Sequence, residues 1–510
     1  MIAKIMMLLV FFAITIGVGL YCRKNATNVG DFVLGGRNVG PWMSAFSFGT
    51  AYFSAVVFVG YAGQFGWNFG MSVTWIGIGN ALVGSLLAWV VLGRRTRIMT
   101  KHLEASTMPD FFAKRYDSQL LKVAVSAVIF LFLIPYSASV YKGLSELFAM
   151  AFGVDITYCI IVMAVLTAFY IILGGYIAEA MNDLIQGVIM LVGIVAVVVV
   201  VINSQGGLMA AAEKLSQVPC ESNPALEGAY VSFLGPDPLL LLSVFILTSL
   251  GTWGLPQMVH KFYSIRNEKA IRIGTVISTV FAAIIAGGSY FLGSFGRLFY
   301  QPEADGRVVY DSIIPTMLEK ALPDLLIGLV IIMVLAASMS TLAALVMASS
   351  STFTLDFLKG TLARNMKEKT SMLLIKGFCA VFVLLSVIIA LNPNSLITSL
   401  MSLSWGVLAG SFLGPFLYGL FWKRANKWGL WACIITAVGI NMSNLMWAWT
   451  APLKAGALAI VLSLVVAPLV SLLTPRLPGD FVEGAFYCFE EKVEVVIEQK
   501  ALLVEEESEK

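Results

Sequence analysis

The sequence predicts an all-α polytopic membrane protein of about thirteen transmembrane helices, two of them discontinuous. Three observations carry that class. Of 510 residues, 59% are hydrophobic and 12% charged, too few charges to cover a soluble protein of this length. Apolar runs long enough to cross a bilayer recur along nearly the whole chain. Two of these runs are interrupted near the middle by Gly-Thr, and one of the two also by proline.

The runs fall at 2–22, 41–64, 69–93, 120–150, 155–174, 181–203, 238–260, 272–297, 324–352, 371–391, 395–421, 428–449 and 455–474. The first follows Lys4, lacks a small-residue cleavage site and is succeeded by Arg23 and Lys24, so it reads as a retained helix. The run at 120–150 exceeds one bilayer crossing and is expected to tilt. Lys and Arg cluster after the first, third, seventh, ninth and eleventh runs, while alternate connections such as "GQFGWNFG" and "NPNS" carry almost none. This bias puts the N-terminus outside and the C-terminus in the cytoplasm of a cell (inner) membrane. The connection near Glu179 and Asp183 is expected inside yet has no cation of its own. The longer outer loops, about 204–237 and 298–323, read as partial lids or short helices. The tail after Pro478, ending in "EEESEK", reads as solvated or loosely helical.

Other classes find little support. A net charge of +3 without a basic, aromatic-interleaved stripe gives no case for nucleic acid. The six cysteines have no paired spacing and read as buried thiols, and only His102 and His260 are present, which leaves zinc and Ser-His-Asp chemistry unsupported. No nucleophile elbow or phosphate loop points to an enzyme, and no filter motif or charged ring to a channel. No obligate protein partner is indicated; the expected partners are the lipid bilayer, an ion and a small solute.

The second run reads "SAFSFGTAYFSAVVFVG" and the seventh "LTSLGTWGLPQMVH". Proline removes a backbone donor and glycine lowers the cost of leaving helical geometry. Unwound backbone at membrane depth must line a cavity, because lipid cannot satisfy its amides and carbonyls. Counted from the second run, the breaks fall in the first and sixth members of a ten-helix set, as two inverted five-helix repeats would place them. The corresponding units are an extra helix (1–24), a first repeat (40–203), a second repeat (238–421), two further helices (428–475) and a tail (476–510).

The ninth run contains "LAASMSTLAALVMASSS", where Ala337, Ser340 and Thr341 share one small, oxygen-bearing helix face. A sodium ion wants five or six hard oxygens, and neutral ones suffice when it must later leave. Ser340 and Thr341 offer hydroxyls, Ala337 a carbonyl one turn earlier, and the broken second run two more carbonyls near Thr50 and Phe53. On spacing alone the same residues are better described as a small-residue helix seam.

The stretches "GDFVLGGRNVGPW", "FGTAYFSAVVFVG", "LGGYIAEAMNDLIQG" and "LAASMSTLAA" together resemble the sodium:solute symporter family, in particular its proline/pantothenate branch, over about residues 15–475. The resemblance implies the inverted-repeat fold of the leucine transporter with an extra N-terminal helix. It also implies alternating-access symport driven by sodium, and a coupling ion held by the carbonyls of Thr50, Phe53 and Ala337 and the hydroxyls of Ser340 and Thr341. Some relatives hold a second sodium through further hydroxyls and an acid; here the acid is present as Asp183, but the hydroxyl positions are Ala343 and Ala344. One sodium per cycle is therefore expected, with Asp183 either easing its release inward or solvated at the cytoplasmic mouth. Proton coupling, with Asp183 or Glu179 as carrier, and a sodium-dependent sensor of the same fold are the alternatives.

Thr50, Ala51, Ser54, Tyr136, Trp253, Gln257 and Trp405 are the polar or aromatic candidates for a solute site between the broken helices; Trp253 and Trp405 serve equally as packing residues. With no Arg or Lys among them, a solute carboxylate would rest on free amides and hydroxyls at a helix break. A small amino acid such as proline, or a monocarboxylate such as pantothenate, fits that set. Two departures put proline itself in question: resembling proline symporters carry aspartate at Tyr52 and tryptophan at Thr248. At Tyr136 they carry tyrosine, where the sialic-acid branch has a substrate-binding arginine, so a sialic acid is not expected.

Overall fold

The computed structural model describes residues 2–22, 28–221, 226–361, 363, 366–392 and 396–489. Arg23, Lys24, Arg364, residues 393–395 and the acidic end of the tail lie outside the described residues. Among those described, eleven helices are long and apolar enough to cross a membrane. The difference from thirteen runs has two local causes. The helical stretch Val56–His102 joins the far half of the second run to the third, turning at Gly70 (φ 60°, ψ −136°). The run at 155–174 contributes the shorter apolar helix Ile156–Phe169, and Gly175 (φ 63°, ψ −172°) breaks the 49-residue helix Ile156–Ser204 after it; only a residue without Cβ takes that conformation at little cost.

The helices are α1 (Ile2–Cys22), α2 (Pro41–Tyr52), α3 (56–69), α4 (70–102), α5 (Gln119–Phe152), α6 (156–174), α7 (Gly175–Ser204), α8 (238–253), α9 (Pro256–Tyr263), α10 (Glu268–Gly293), α11 (Asp324–Thr352), α12 (Glu368–Ala390), α13 (Ile397–Phe421), α14 (Lys427–Trp447), α15 (Pro452–Leu473) and α16 (Gly479–Phe486). Both expected breaks are present. The chain is extended at Phe53 (φ −108°, ψ 123°) between α2 and α3, and at Leu255 (φ −78°, ψ 123°) between α8 and α9, where Pro256 starts the new helix. Short helices Leu208–Ser216 and Ile313–Ala321 occupy the two long loops.

On the side rich in Lys and Arg, the outer ends of α2 and α9 are tied by a parallel bridge. Val39 N–H donates to the Ser264 carbonyl and Arg266 N–H to the Val39 carbonyl, each at 3.1 Å. Arg37 reinforces it, donating to the carbonyls of Tyr263 at 3.2 Å and Ala105 at 2.5 Å. Around the broken pair stand α7, α10, α11 and α13. In α11 and α13, 83% of the most apolar window is buried, against 22% in α1, so the hydroxyl-bearing α11 is an interior helix. The described start of the tail, read as solvated or loosely helical, is a short helix packed against the protein. In α16, Val482, Ala485 and Phe486 are buried, with the Arg115 guanidinium 4.9 Å from the Phe486 ring centroid and the Gly484 carbonyl accepting from His102 Nε2 at 2.8 Å. Among the described residues no cysteine is in a disulfide; five are buried and Cys488 is half-buried.

Close approach of α3 and α10 depends on a glycine pair: a Cβ on Gly66 would lie 1.9 Å from the Gly293 carbonyl oxygen. Neither backbone can yield without separating the helices, and overpacking of this kind costs about 1–3 kcal/mol or more. Gly66→Ala is expected to lower the melting temperature of the purified protein by several degrees. Gly17→Ala, whose Cβ meets nothing within 4 Å, is expected to leave it unchanged in the same assay.

Candidate functional site

The break between α2 and α3 can be followed bond by bond. Gly49 keeps its helical partner, accepting from Phe53 N–H at 3.3 Å. Beyond it the donors are diverted: Ala55 N–H goes to Ser338 Oγ at 3.2 Å and Val56 N–H to Ser54 Oγ at 3.2 Å. The carbonyls at the end of α2 therefore turn outward, toward α11. Thr341 Oγ1 lies 3.3 Å from the Thr50 carbonyl, 3.4 Å from Ala51, 3.4 Å from Phe53 and 3.1 Å from Ala337. A hydroxyl has one proton and cannot serve four acceptors. The result is a dry, oxygen-rich point with surplus negative potential, because Thr341, Ser340 and Thr50 are all fully buried. Thr50, Phe53, Ala337, Ser340 and Thr341, read from the sequence as one set, are brought together here.

Beneath this point lies a charged floor that the sequence did not disclose. Ser340 Oγ is 2.8 Å from Thr50 Oγ1 and donates to Asp183 Oδ1 at 2.6 Å, while Ser47 Oγ donates to Asp183 Oδ2 at 2.5 Å. Asp183 is fully buried on α7, so the alternative of a carboxylate solvated at the mouth does not hold; with Gly175 turning the chain alone, Asp183 is two turns inside the helix. The cation missing from this connection arrives from α9. Lys261 pairs directly with Glu179 and sits 3.7 Å from Asp183 Oδ2, all three side chains at most 4% exposed.

The candidate solute residues separate into groups. Tyr52, Tyr136 and Trp405 form a buried aromatic cluster, with ring centroids 6.1 Å apart for Tyr52–Trp405 and 5.8 Å for Tyr136–Trp405. The Tyr136 hydroxyl, Trp405 Nε1 and both amide atoms of buried Gln257 lack a well-formed hydrogen bond within the protein. Buried polar atoms left in this state normally have a ligand or water to meet. Ala51 is fully buried and contributes its carbonyl to the Thr341 cluster. Trp253 instead donates its indole N–H to the Val83 carbonyl at 2.9 Å, fixing it against α4. Ser54 lines a narrow, mostly apolar space with Phe58, Met190, Ile285 and Met333. The two positions that depart from proline symporters touch each other, the Tyr52 hydroxyl donating to the Thr248 carbonyl.

Ser47, Ser338 and Lys261 are the contributors that sequence reading missed. Ser47 stands one turn before Thr50, and Ser338 one turn before Thr341, so helical spacing could have found both. Lys261 lies 82 residues from Glu179 and no spacing rule reaches it.

Residues 32–436 match the model of the sodium:solute symporter family. Among curated proteins, the chain is 28% identical over 483 residues to an osmoregulated proline transporter of Bacillus subtilis (strain 168), covering 92% of this chain and 94% of that protein. It is 29% identical over 494 residues to a sodium/proline symporter of Staphylococcus aureus (strain JH9), covering 94% of each. Among solved structures, a sodium-coupled sialic acid symporter in a substrate-bound outward-open state matches with a TM-score of 0.75 at 18% identity, over 93% of this chain and 98% of that one. A nucleobase-cation-symport-1 family transporter in a closed conformation matches with a TM-score of 0.52 at 15% identity, over 89% and 98%. These two show the fold.

The side opposite the Lys/Arg-rich one has its own buried acid. Asp311, between α10 and α11, is 4% exposed. Burial pushes its carboxyl up to about 6, against the opposing pull of Lys142 and the Ile397 backbone N–H. The folded chain therefore holds this proton more tightly than the unfolded chain does, and the stability it confers is lost as pH rises from near 4 through about 6. Asp311→Asn is expected to flatten that part of the profile, measured as the difference between wild-type and variant melting temperatures across this range.

Proposed function

This chain belongs to the sodium:solute symporter family and couples sodium flow to solute uptake as an integral membrane protein; on that premise we propose where the ion and the solute sit. The coupling sodium is held by the carbonyls of Thr50, Phe53 and Ala337 and the hydroxyls of Ser340 and Thr341. The observation that carries this reading is the single Thr341 hydroxyl facing four carbonyls, an arrangement that a cation completes and a proton does not. Ser340 links the ion to Asp183, which offers the departing sodium its next oxygen on the cytoplasmic side.

The solute lies beside the α2 and α8 breaks against Tyr52, Tyr136 and Trp405, with Gln257 supplying an unsatisfied amide and Thr50 and Ala51 the adjoining backbone. Ser54 and Trp253 take the second rank, since each already has a structural partner. A small amino acid or monocarboxylate suits this pocket of aromatics, one amide and no cation. The relatives named as proline transporters support that class, while Tyr52 in place of an aspartate favours a solute that does not need a carboxylate to meet its amine. The N-terminus is outside, the C-terminus in the cytoplasm, and the two inverted repeats span 40–203 and 238–421. Carrying one positive charge inward supplies about 2.3 kcal/mol per 100 mV. Each further ~1.4 kcal/mol from the sodium gradient multiplies accumulation tenfold, so one sodium concentrates a zwitterion on the order of a hundredfold.

Ser340→Ala with Thr341→Ala is expected to raise the sodium concentration for half-maximal uptake by at least about tenfold, equivalent to ~1.4 kcal/mol, while insertion and monodispersity persist. Unchanged sodium dependence in the folded variant would remove the site. In a thermal-shift screen of proline, other small amino acids and monocarboxylates, the cognate solute is expected to stabilise the protein only when sodium is present. A stabilisation equal in sodium and in choline chloride would contradict coupling at adjoining sites.

A further inference from the structure

The pairing of Lys261 with Glu179 and Asp183 has a consequence for how many ions the site takes, and it rests on the sodium site proposed above. The ammonium is 2% exposed and the two carboxylates 4% and 0%, with the Tyr176 ring centroid 5.2 Å from Nζ. Charges so enclosed in a membrane protein must be balanced locally. Two carboxylates and one ammonium leave the cluster with one net negative charge. The neutral-oxygen point around Thr341 is joined to that charge through the Ser340 hydroxyl, 2.6 Å from Asp183. One sodium at Thr341 therefore brings the whole ensemble to neutrality, and a second would overshoot it.

We propose that Lys261 is a tethered counter-cation that sets the stoichiometry at one sodium per solute, its ammonium standing where a second mobile ion would otherwise be required. The oxygens around it are those that a cation would use: the Glu179 carboxylate and Asp183 Oδ2, 3.7 Å away and held by Ser47, while the other Asp183 oxygen accepts from Ser340. Since Lys261 is on α9 and the carboxylates are on α7, the resident cation also binds the mobile half of a broken helix to its neighbour. A free ion in its place would leave with each cycle.

The test is the ratio of sodium-22 to labelled solute entering proteoliposomes, with the solute identified by the screen above. Wild type is expected to give one. Lys261→Gln leaves two uncompensated carboxylates and is expected to give a ratio near two, with sodium dependence becoming sigmoidal. Lys261→Arg, and the double variant Lys261→Gln with Glu179→Gln, restore a net charge of minus one and are expected to return the ratio to one. A purely structural role for Lys261 would not produce this charge-matched recovery. Should Lys261→Gln fail to fold, Glu179→Gln answers the same question: its cluster is neutral, and half-saturating sodium is expected to rise tenfold or more. A wild-type ratio of two, a folded Lys261→Gln that keeps a ratio of one, or unchanged sodium affinity in Glu179→Gln overturns the proposal. None of these outcomes touches the Thr341 site, whose failure shows separately as sodium dependence that survives loss of the Ser340 and Thr341 hydroxyls.

Discussion

The structure turns on a mismatch of donors and acceptors at the end of α2. Extended backbone at Phe53 releases the Thr50, Ala51 and Phe53 carbonyls from the helical ladder, and among the described residues the one side-chain hydroxyl that meets them belongs to Thr341. In the membrane interior an unsatisfied carbonyl is costly, so this geometry persists because α11 faces it with hydroxyls instead of apolar groups. Ser338 caps the freed Ala55 N–H, and Thr341 covers the freed carbonyls. The small side chains of α11 let the two backbones come close enough for both. A helix break, a polar helix face and the proposed cation site are thus one physical feature viewed from three sides.

That feature is held in place by contacts on the Lys/Arg-rich side. The bridge of Val39 with Ser264 and Arg266 joins the two broken helices at their ends, and Lys261 joins α9 to α7 by charge. Charge pairs in a dry interior are poor sources of net stability but strong determinants of geometry, since breaking one strands its partner. The aromatic cluster of Tyr52, Tyr136 and Trp405 has the complementary character, with broad faces and with the Tyr136 hydroxyl and Trp405 Nε1 left without a well-formed hydrogen bond within the protein.

Much of this was legible in the sequence because the physics is local. Gly-Thr and Gly-x-Pro mark the breaks, and helical spacing groups Ala337, Ser340 and Thr341 on one face; both readings need only a few neighbouring residues. The parts that the sequence alone leaves open depend on long-range contacts or single backbone angles. Asp183 seemed close to a helix end because the turn at Gly175 is too abrupt to register as a loop, and its cation comes from another helix. Trp253 and Ser54 are polar residues at the right depth, but which way each side chain turns is settled by Val83 and Val56, not by their own positions. The docking of α16 through Phe486 and Arg115 pairs an aromatic with a guanidinium across several hundred residues of chain.

The most direct test of the central claim is an electron cryomicroscopy structure of the protein with sodium, at a resolution that resolves bound ions and compared with one in choline. A sodium-dependent density enclosed by the carbonyls of Thr50, Phe53 and Ala337 and the hydroxyls of Ser340 and Thr341, with Lys261 still on Glu179 and Asp183, is the expected result. An ion found elsewhere, with Thr341 hydrogen-bonded identically in both conditions, would contradict it.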